Sequence, residues 1–172
     1  MSITINELYM EIRKKFRAAD ISMAELEARE LTAFVTKTDK RMTANWAYCY
    51  LDDNTVQKAR QMTERRLNHE PLAYILGEWD FYGYTFMVNK NVLIPRSDTE
   101  PLCQLAIEDA KTLENPKVID ICCGSGCIGL ALAAEVHNAR VVAVDISEDA
   151  LSVARENARR LEVTNRYSTS IG

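Results

Sequence analysis

The sequence lacks the features that would place it in a membrane or in an export pathway. No apolar run reaches the roughly 18 residues that a membrane-spanning helix needs, because charged side chains interrupt every candidate. The N-terminus has no basic segment followed by an apolar one, which is the pattern of a secretory signal. We therefore predict a cytoplasmic protein with no membrane partner.

The sequence also lacks the cysteine spacing of a disulfide framework or a Cys-x-x-Cys pair. It has five cysteines, an odd number, of which Cys122, Cys123 and Cys127 lie close together. A structural zinc site needs two pairs of ligands, and no nearby residues supply the second pair. We predict no metal and interpret these cysteines as the small residues of a tight turn.

An excess of positive charge is absent as well. The chain has 21 basic and 25 acidic residues, for a net charge of −4. This balance is not that of a nucleic-acid-binding protein, so we predict no direct nucleic-acid partner.

The composition, 47% hydrophobic and 27% charged, is that of a soluble globular protein. The length suits one domain or two small ones.

The first 75 residues have the apolar spacing of helices. One face of a first helix is formed by Ile5, Leu8, Ile12 and Phe16. Ser22, with Glu25 three residues later, predicts a capping box at the start of a second helix. Asp52 is a candidate N-cap for a helix that ends near Asn68. We predict a helical domain over residues 1–75.

Residues 76–97 are predicted to form a β-hairpin linker. The segment after Trp79 is rich in aromatic and β-branched residues, with Gly83 at its turn. A second turn at 89–91 would lead into a short strand, Val92–Ile94. A helix should follow from Asp98 or Thr99, with an apolar stripe formed by Leu102, Leu105, Ala106 and Ala110.

From residue 98 onward, strands and helices alternate. Val118–Ile121 and Arg140–Asp145 have the apolar character of buried strands. Helices are predicted over 128–136 and 148–161. This alternation predicts an α/β fold with a parallel sheet, and a third strand should begin in the residues after 161.

The loop between the first strand and its helix has the pattern of a cofactor site. Asp120 closes the strand, and Gly124-Ser-Gly126-Cys-Ile-Gly129 satisfies the dinucleotide fingerprint G-x-G-x-x-G. A helix N-terminus offers backbone N–H groups to an electron-rich ligand, and glycines allow close approach. Asp145, 21 positions after Gly124, can accept hydrogen bonds from a ribose. This pattern alone leaves a nicotinamide-dependent oxidoreductase and a methyltransferase both open.

Asp120 favours the methyltransferase, because class I methyltransferases carry D-x-G-x-G-x-G at this place, with Cys122 here replacing the first glycine. Further motifs point the same way: Glu70-Pro-Leu-Ala-Tyr-Ile-Leu-Gly77, Val92-Leu-Ile-Pro-Arg-Ser-Asp-Thr-Glu100 and Ala143-Val-Asp-Ile-Ser-Glu148. Together they resemble the HemK/PrmC family, the protein-glutamine N5-methyltransferases of peptide-chain release factors. The resemblance spans residues 1 to about 163.

The resemblance implies a fold, a cofactor and a substrate. A helical substrate-docking domain (1–75) and the hairpin would precede the first part of a class I, Rossmann-like methyltransferase domain (98–172). S-adenosyl-L-methionine would supply a methyl group for the glutamine amide in the Gly-Gly-Gln loop of a release factor. The cofactor would contact Cys122, Cys123, Gly124, Ser125, Gly126, Asp145 and Ile146. Leu93 would line the substrate pocket.

The family's Asn-Pro-Pro-Tyr motif, which places the target amide, is absent. The chain has four prolines, and none are adjacent. We therefore identify no catalytic residue, interpret the methyltransferase domain as incomplete, and expect the chain to be inactive alone with an exposed Val141–Val144 strand edge. The alternatives are a non-catalytic release-factor-binding fragment, an adenine-N6 nucleic-acid methyltransferase and a NAD-dependent oxidoreductase.

Overall fold

The computed structural model describes residues 3–38 and 48–172. The chain divides into two compact units, Met1–Leu76 and Gly77–Gly172. In the first unit, the described helices are α1 (Ile5–Ala18), α2 (Ala24–Thr36), α3 (Asp53–Leu67) and α4 (Leu72–Leu76). An isolated antiparallel bridge joins Thr4 and Tyr50.

Side-chain caps fix the beginnings of α1 and α3. Thr4 and Glu7 form a capping box, since Thr4 Oγ1 accepts from the Glu7 N–H at 3.2 Å and Glu7 Oε2 accepts from the Thr4 N–H at 2.7 Å. At α3, Asp52 Oδ1 accepts from the Thr55 N–H at 2.9 Å. The predicted cap of α3 at Asp52 is thus confirmed.

The predicted capping box of α2 is wrong. The helix begins at Ala24, whereas an N-cap at Ser22 would make Met23 the first helical residue. The observed N-cap is Met23, which makes no side-chain cap hydrogen bond. The carboxylate of Glu25 instead pairs with Arg17 of α1. An ion pair between helices has replaced the local contact that the sequence pattern suggested.

The apolar faces of the helices form the core of the first unit. The predicted face of α1 is confirmed, because Ile5, Leu8, Ile12 and Phe16 are all buried. The last three of these join a cluster with residues of α2, α3 and α4: Ala24, Ala28, Leu31, Val35, Ala59, Met62, Leu72 and Ile75. Burial of this many apolar side chains supplies the main favourable contribution to folding of the unit.

In the second unit, β1 (Glu78–Phe81) and β2 (Tyr84–Met87) form an antiparallel hairpin. The predicted strand at Val92–Ile94 is wrong. The Val92 N–H donates to the carbonyl of Asn89 at 3.1 Å, which closes a turn rather than extending a ladder. A 3₁₀ turn (Ser97–Thr99) and α5 (Glu100–Lys111) follow, with Pro101 in the first turn of α5.

The predicted apolar stripe of α5 is partly wrong. The buried residues of this helix are Cys103, Ile107 and Ala110. Leu102 and Leu105 are exposed. The buried face lies one position further along the chain than the leucines indicated, because α5 packs through Cys103, whose thiol lies 3.9 Å from the carbonyl of Ile128.

Three parallel strands, β3 (Lys117–Ile121), β4 (Arg140–Asp145) and β5 (Tyr167–Ile171), form a sheet in the order β3-β4-β5. The connecting helices are α6 (Cys127–Glu135) and α7 (Glu148–Arg160). The predicted α/β class with a parallel sheet is confirmed. The predicted free edge at Val141–Val144 is wrong, because β4 pairs with β3 on one side and with β5 on the other.

The two faces of this sheet differ. Helices α6 and α7 contact each other and cover one face, where Val141 and Ala143 are buried. On the opposite face Ile119 is 66% exposed, Ile121 71% and Val142 39%. Within the described residues, one face of the sheet is therefore covered by helices and the other is partly exposed. No helix in the described part of the chain is long and apolar enough to cross a membrane.

Candidate cofactor site

The loop that joins β3 to α6 folds back on itself through left-handed residues. Cys122, Gly124 and Gly126 have φ values of 61°, 55° and 79°. The Gly126 N–H donates to the carbonyl of Cys123 at 2.8 Å, closing a tight turn directly above the sheet. The turn brings its backbone to the carboxyl ends of β3 and β4, where open α/β sheets bind ligands.

Cys122 occupies a position that favours glycine. It replaces the first glycine of the methyltransferase motif, and it adopts the left-handed conformation that an L residue with a side chain enters at a cost of about 1–2 kcal/mol. Its side chain is exposed. Cys122 therefore adopts the backbone conformation that glycine favours, although it has a side chain.

Helix α6 begins at this loop without a side-chain cap. Its N-cap is Gly126, which has no side chain to accept a hydrogen bond. The first-turn N–H groups of a helix remain unpaired inside the helix itself. Together with the positive end of the helix dipole, they make this terminus suitable for an electron-rich ligand group.

Asp145, at the end of β4, holds the loop in place. Its Oδ2 accepts from the Gly124 N–H at 2.9 Å, and its Oδ1 accepts from the Ser147 N–H at 3.0 Å. A carboxylate has about four acceptor positions, so further positions remain for a ligand's hydroxyl groups. Asp145 therefore both shapes the loop and can accept hydrogen bonds from a sugar.

Asp120, at the end of β3, binds the first turn of α6. Its Oδ2 accepts from the Gly129 N–H at 3.1 Å. A Cβ on Gly129 would lie 2.8 Å from that oxygen, so only glycine fits this close approach. Burial raises the pKa of Asp120, while the hydrogen bond from Gly129 opposes the shift. Asp120 thus positions the helix N-terminus from below.

Asn157 on α7 is a residue that the sequence reasoning missed. It is buried, and its Oδ1 accepts from the Met87 N–H at 2.7 Å. Its Nδ2 donates to the carbonyl of Met87 at 3.0 Å and to that of Ser125 at 2.9 Å. One amide thereby ties the loop to the hairpin, and no local motif could have indicated partners this distant in the sequence.

Burial disfavours the thiolate form of three cysteines at or near the loop. Burial raises the pKa of Cys103 and of Cys123 to about 12, and it also raises the pKa of Cys127. Metal binding and nucleophilic attack both need a thiolate. Within residues 3–38 and 48–172, no group of three or more His, Cys, Asp or Glu side chains is arranged to hold a metal ion.

The structure brings most of the predicted site residues together. Hydrogen bonds join the loop to the β4 end, and Ile146 beside Asp145 is 85% exposed at the same edge of the sheet. Leu93 is exposed in the segment that follows β2. No hydrogen bond described for residues 77–172 links Leu93 to the loop.

Comparison with known proteins gives two domain matches. Residues 7–77 match the PrmC N-terminal domain, and residues 112–168 match a methyltransferase domain. A bifunctional methyltransferase from Rickettsia felis is 35% identical over 194 aligned residues, covering 96% of this chain and 37% of that protein.

Two release factor glutamine methyltransferases are similarly related. The protein from Koribacter versatilis is 34% identical, with 98% of this chain and 60% of the relative covered. The protein from Neisseria gonorrhoeae is 41% identical, with 81% and 50% covered. The chain thus spans roughly a third to three fifths of the lengths of these relatives.

The domain matches agree with the geometry of the loop. A methyltransferase domain confirms the predicted cofactor, S-adenosylmethionine, over the nicotinamide alternative. The PrmC N-terminal domain distinguishes this chain from methyltransferases that share only the loop. The chain therefore contains a match to the PrmC N-terminal domain followed by a methyltransferase domain, and it is similar over most of its length to release factor glutamine methyltransferases.

Proposed function

We propose that this protein takes part in the methylation of the glutamine side-chain amide in the Gly-Gly-Gln loop of peptide-chain release factors. The observation that carries the proposal is the combination of a PrmC N-terminal domain with a loop of suitable shape for S-adenosylmethionine. The two relatives named as release factor glutamine methyltransferases support the choice of substrate. Release factors act in the cytoplasm, where we place the protein.

Each loop residue has a proposed role toward the cofactor. The backbone of Gly124, Ser125 and Gly126, with Cys122 and Cys123, would line the methionine end. Asp145 would accept hydrogen bonds from the ribose hydroxyls through the acceptor positions that Gly124 and Ser147 leave open. Bound there, the cofactor supplies an electrophilic methyl group. The exposed Ile146 side chain would lie against the adenine.

The helical unit, residues 1–75 in our proposal, would dock the release factor. The hairpin, residues 76–97, would act as a linker, and residues 98–172 would form the methyltransferase part. Leu93 would form part of the wall that receives the glutamine side chain, in keeping with its exposure. These roles make the release factor the protein partner and require neither nucleic acid nor membrane.

A non-catalytic role in release-factor binding is the second candidate. The 172 residues contain no Asn-Pro-Pro-Tyr sequence. An amide nitrogen is a poor nucleophile, so transfer requires groups that align it with the methyl donor. We therefore expect the chain to bind the cofactor but not to transfer the methyl group by itself.

Titration calorimetry with S-adenosylhomocysteine tests the cofactor site. Replacing Asp145 with Ala removes a charged acceptor, and we expect a loss of about 1.5–3 kcal/mol, or roughly 10- to 150-fold in affinity. Asp149→Ala is the matched control, because Asp149 is an exposed acid in the first turn of α7. Equal affinity of the Asp145→Ala variant and the wild type would refute the ribose assignment.

A transfer assay tests the reaction. Labelled S-adenosylmethionine is incubated with a purified release factor and either this chain or a full-length relative. We expect label on the release factor with the relative alone. Turnover by this chain near the rate of the relative would show that the aligning groups lie within these 172 positions.

A further inference from the structure

The hydroxyl of Tyr167 lies beneath the cofactor loop. Tyr167 is the first residue of β5, in register with Val141 of β4, and it is 6% exposed. A Cβ added to Gly126 would lie 2.5 Å from this hydroxyl. The phenol therefore supports the loop from below, at the residue where α6 begins.

This hydroxyl is buried without a hydrogen-bond partner among the described residues. Its polar neighbour is the Cys123 thiol, and the contact between the two is at most a weak hydrogen bond. Burial raises the pKa of Tyr167, so the phenol stays neutral. A buried hydroxyl without a partner destabilises a fold, and a phenylalanine would fill the same space without that cost.

The loop above the hydroxyl has carbonyl acceptors that are not fully used. Gly124 and Gly126 have positive φ, a region in which glycine moves at little steric cost. The carbonyls of Cys123 and Ser125 each accept one hydrogen bond, from the Gly126 N–H and from Asn157 Nδ2. A carbonyl oxygen has two lone pairs, so the loop retains acceptors that a small movement could turn toward Tyr167.

We propose that Tyr167 is a positioning residue for the cofactor loop. When the loop closes on the cofactor, the Tyr167 hydroxyl donates a hydrogen bond to a loop carbonyl. The inference rests on the proposed cofactor site. The hydroxyl destabilises the cofactor-free protein and stabilises the cofactor-bound protein. It therefore makes cofactor binding more favourable.

Phenylalanine substitution in the full 172-residue chain separates this role from a structural one. Tyr167→Phe should raise the unfolding temperature of the free protein by about 2–4 °C. It should also weaken binding of S-adenosylhomocysteine about five- to tenfold, measured by calorimetry. Residues that act only through packing would not give greater stability together with weaker binding.

Tyr84→Phe is the matched control. The Tyr84 hydroxyl donates to Glu135 Oε1 at 2.7 Å, so its removal should lower the unfolding temperature slightly and leave the affinity unchanged. Equal affinity of the wild type and Tyr167→Phe would overturn the inference alone. A lower unfolding temperature for Tyr167→Phe would also overturn it, because the hydroxyl would then already have a partner. Absence of binding by the wild type would reject the cofactor site together with the inference.

Discussion

The two units of this chain use their polar side chains differently. In Met1–Leu76 most of the described ion pairs join one helix to another, as in Arg60 with Glu11 and Arg66 with Glu27. In Gly77–Gly172 the half-buried Asp120 and Asp145 and the buried Asn157 instead bind backbone groups of the cofactor loop, its helix and the hairpin. The first arrangement stabilises packed helices, whereas the second holds a backbone in the shape a ligand needs.

The difference has a physical origin. An ion pair near water contributes little, because solvent screens it and two long side chains lose freedom. Removal of a buried acceptor that pairs with a backbone N–H costs more stability, because the N–H is left buried and unpaired. We therefore expect substitutions in the second unit to have the larger effects on stability.

The largest effect is expected for Asn157→Ala. The change leaves the N–H and carbonyl of Met87 and the carbonyl of Ser125 without their partner. We expect a loss of about 3–4 kcal/mol in the free energy of unfolding, measured by urea denaturation. Asn165→Ala, at an exposed turn residue, should change it by no more than about 0.5 kcal/mol. Similar losses for both variants would show that the hydrogen bonds of Asn157 contribute no more to stability than an exposed side chain of the same unit.

Asp120 should give the second unit a distinct pH dependence. Its pKa is raised in the folded protein by burial. The folded state therefore holds the proton more tightly than the unfolded state, and stability falls as pH rises from the ordinary pKa through the raised one. The effect is about 1.4 kcal/mol for each unit of the shift.

Comparison of the wild type with Asp120→Asn isolates that contribution. An amide can still accept from the Gly129 N–H but does not ionise. The variant should gain stability relative to the wild type as pH rises, and the gain should level off above the raised pKa. The free energy of unfolding of both proteins is measured by denaturation between about pH 4 and about pH 8. Parallel curves for the two proteins would contradict the raised pKa of Asp120.

In the first unit, Glu27→Gln should have a smaller effect. The carboxylate of Glu27 accepts from Arg66 Nε at 2.5 Å and from Nη2 at 3.1 Å, and both side chains are mostly buried. We expect a loss of about 1–2 kcal/mol in the free energy of unfolding. Salt at about 1 M, where the Debye length is roughly 3 Å, should reduce this loss only partly because the pair is mostly buried. Glu70→Gln, which breaks the more exposed pair with Arg65, should cost about 0–1 kcal/mol.

The smallest effect is expected for Cys122→Gly, and it is a gain. A glycine at φ 61° is free of the strain that the cysteine carries there, although its unfolded state is more flexible. We expect about 0.5–1 kcal/mol of added stability by thermal unfolding. Cys123→Gly should instead destabilise the protein, because Cys123 is buried. Loss of stability in both variants would show that the thiol of Cys122 contributes to the loop.

Local patterns predicted much of the fold. The apolar face of α1, the cap at Asp52 and the strand Arg140–Asp145 follow from spacing and residue type alone. The errors occur where a distant contact replaced a local preference. Glu25 pairs with Arg17 rather than capping α2, and the buried face of α5 is set by its packing through Cys103.

The sequence by itself determined most of the helices and strands, the resemblance to release factor glutamine methyltransferases and the glycine loop between two strand ends that each carry an aspartate. These features depend on residues close together in the chain, and their chemistry is visible in the residue types. Only the tertiary structure decided that Asn157 joins Ser125 to Met87 and that Tyr167 supports Gly126. Those contacts connect elements far apart in the chain, and they form only when α7 and β5 pack beside the loop.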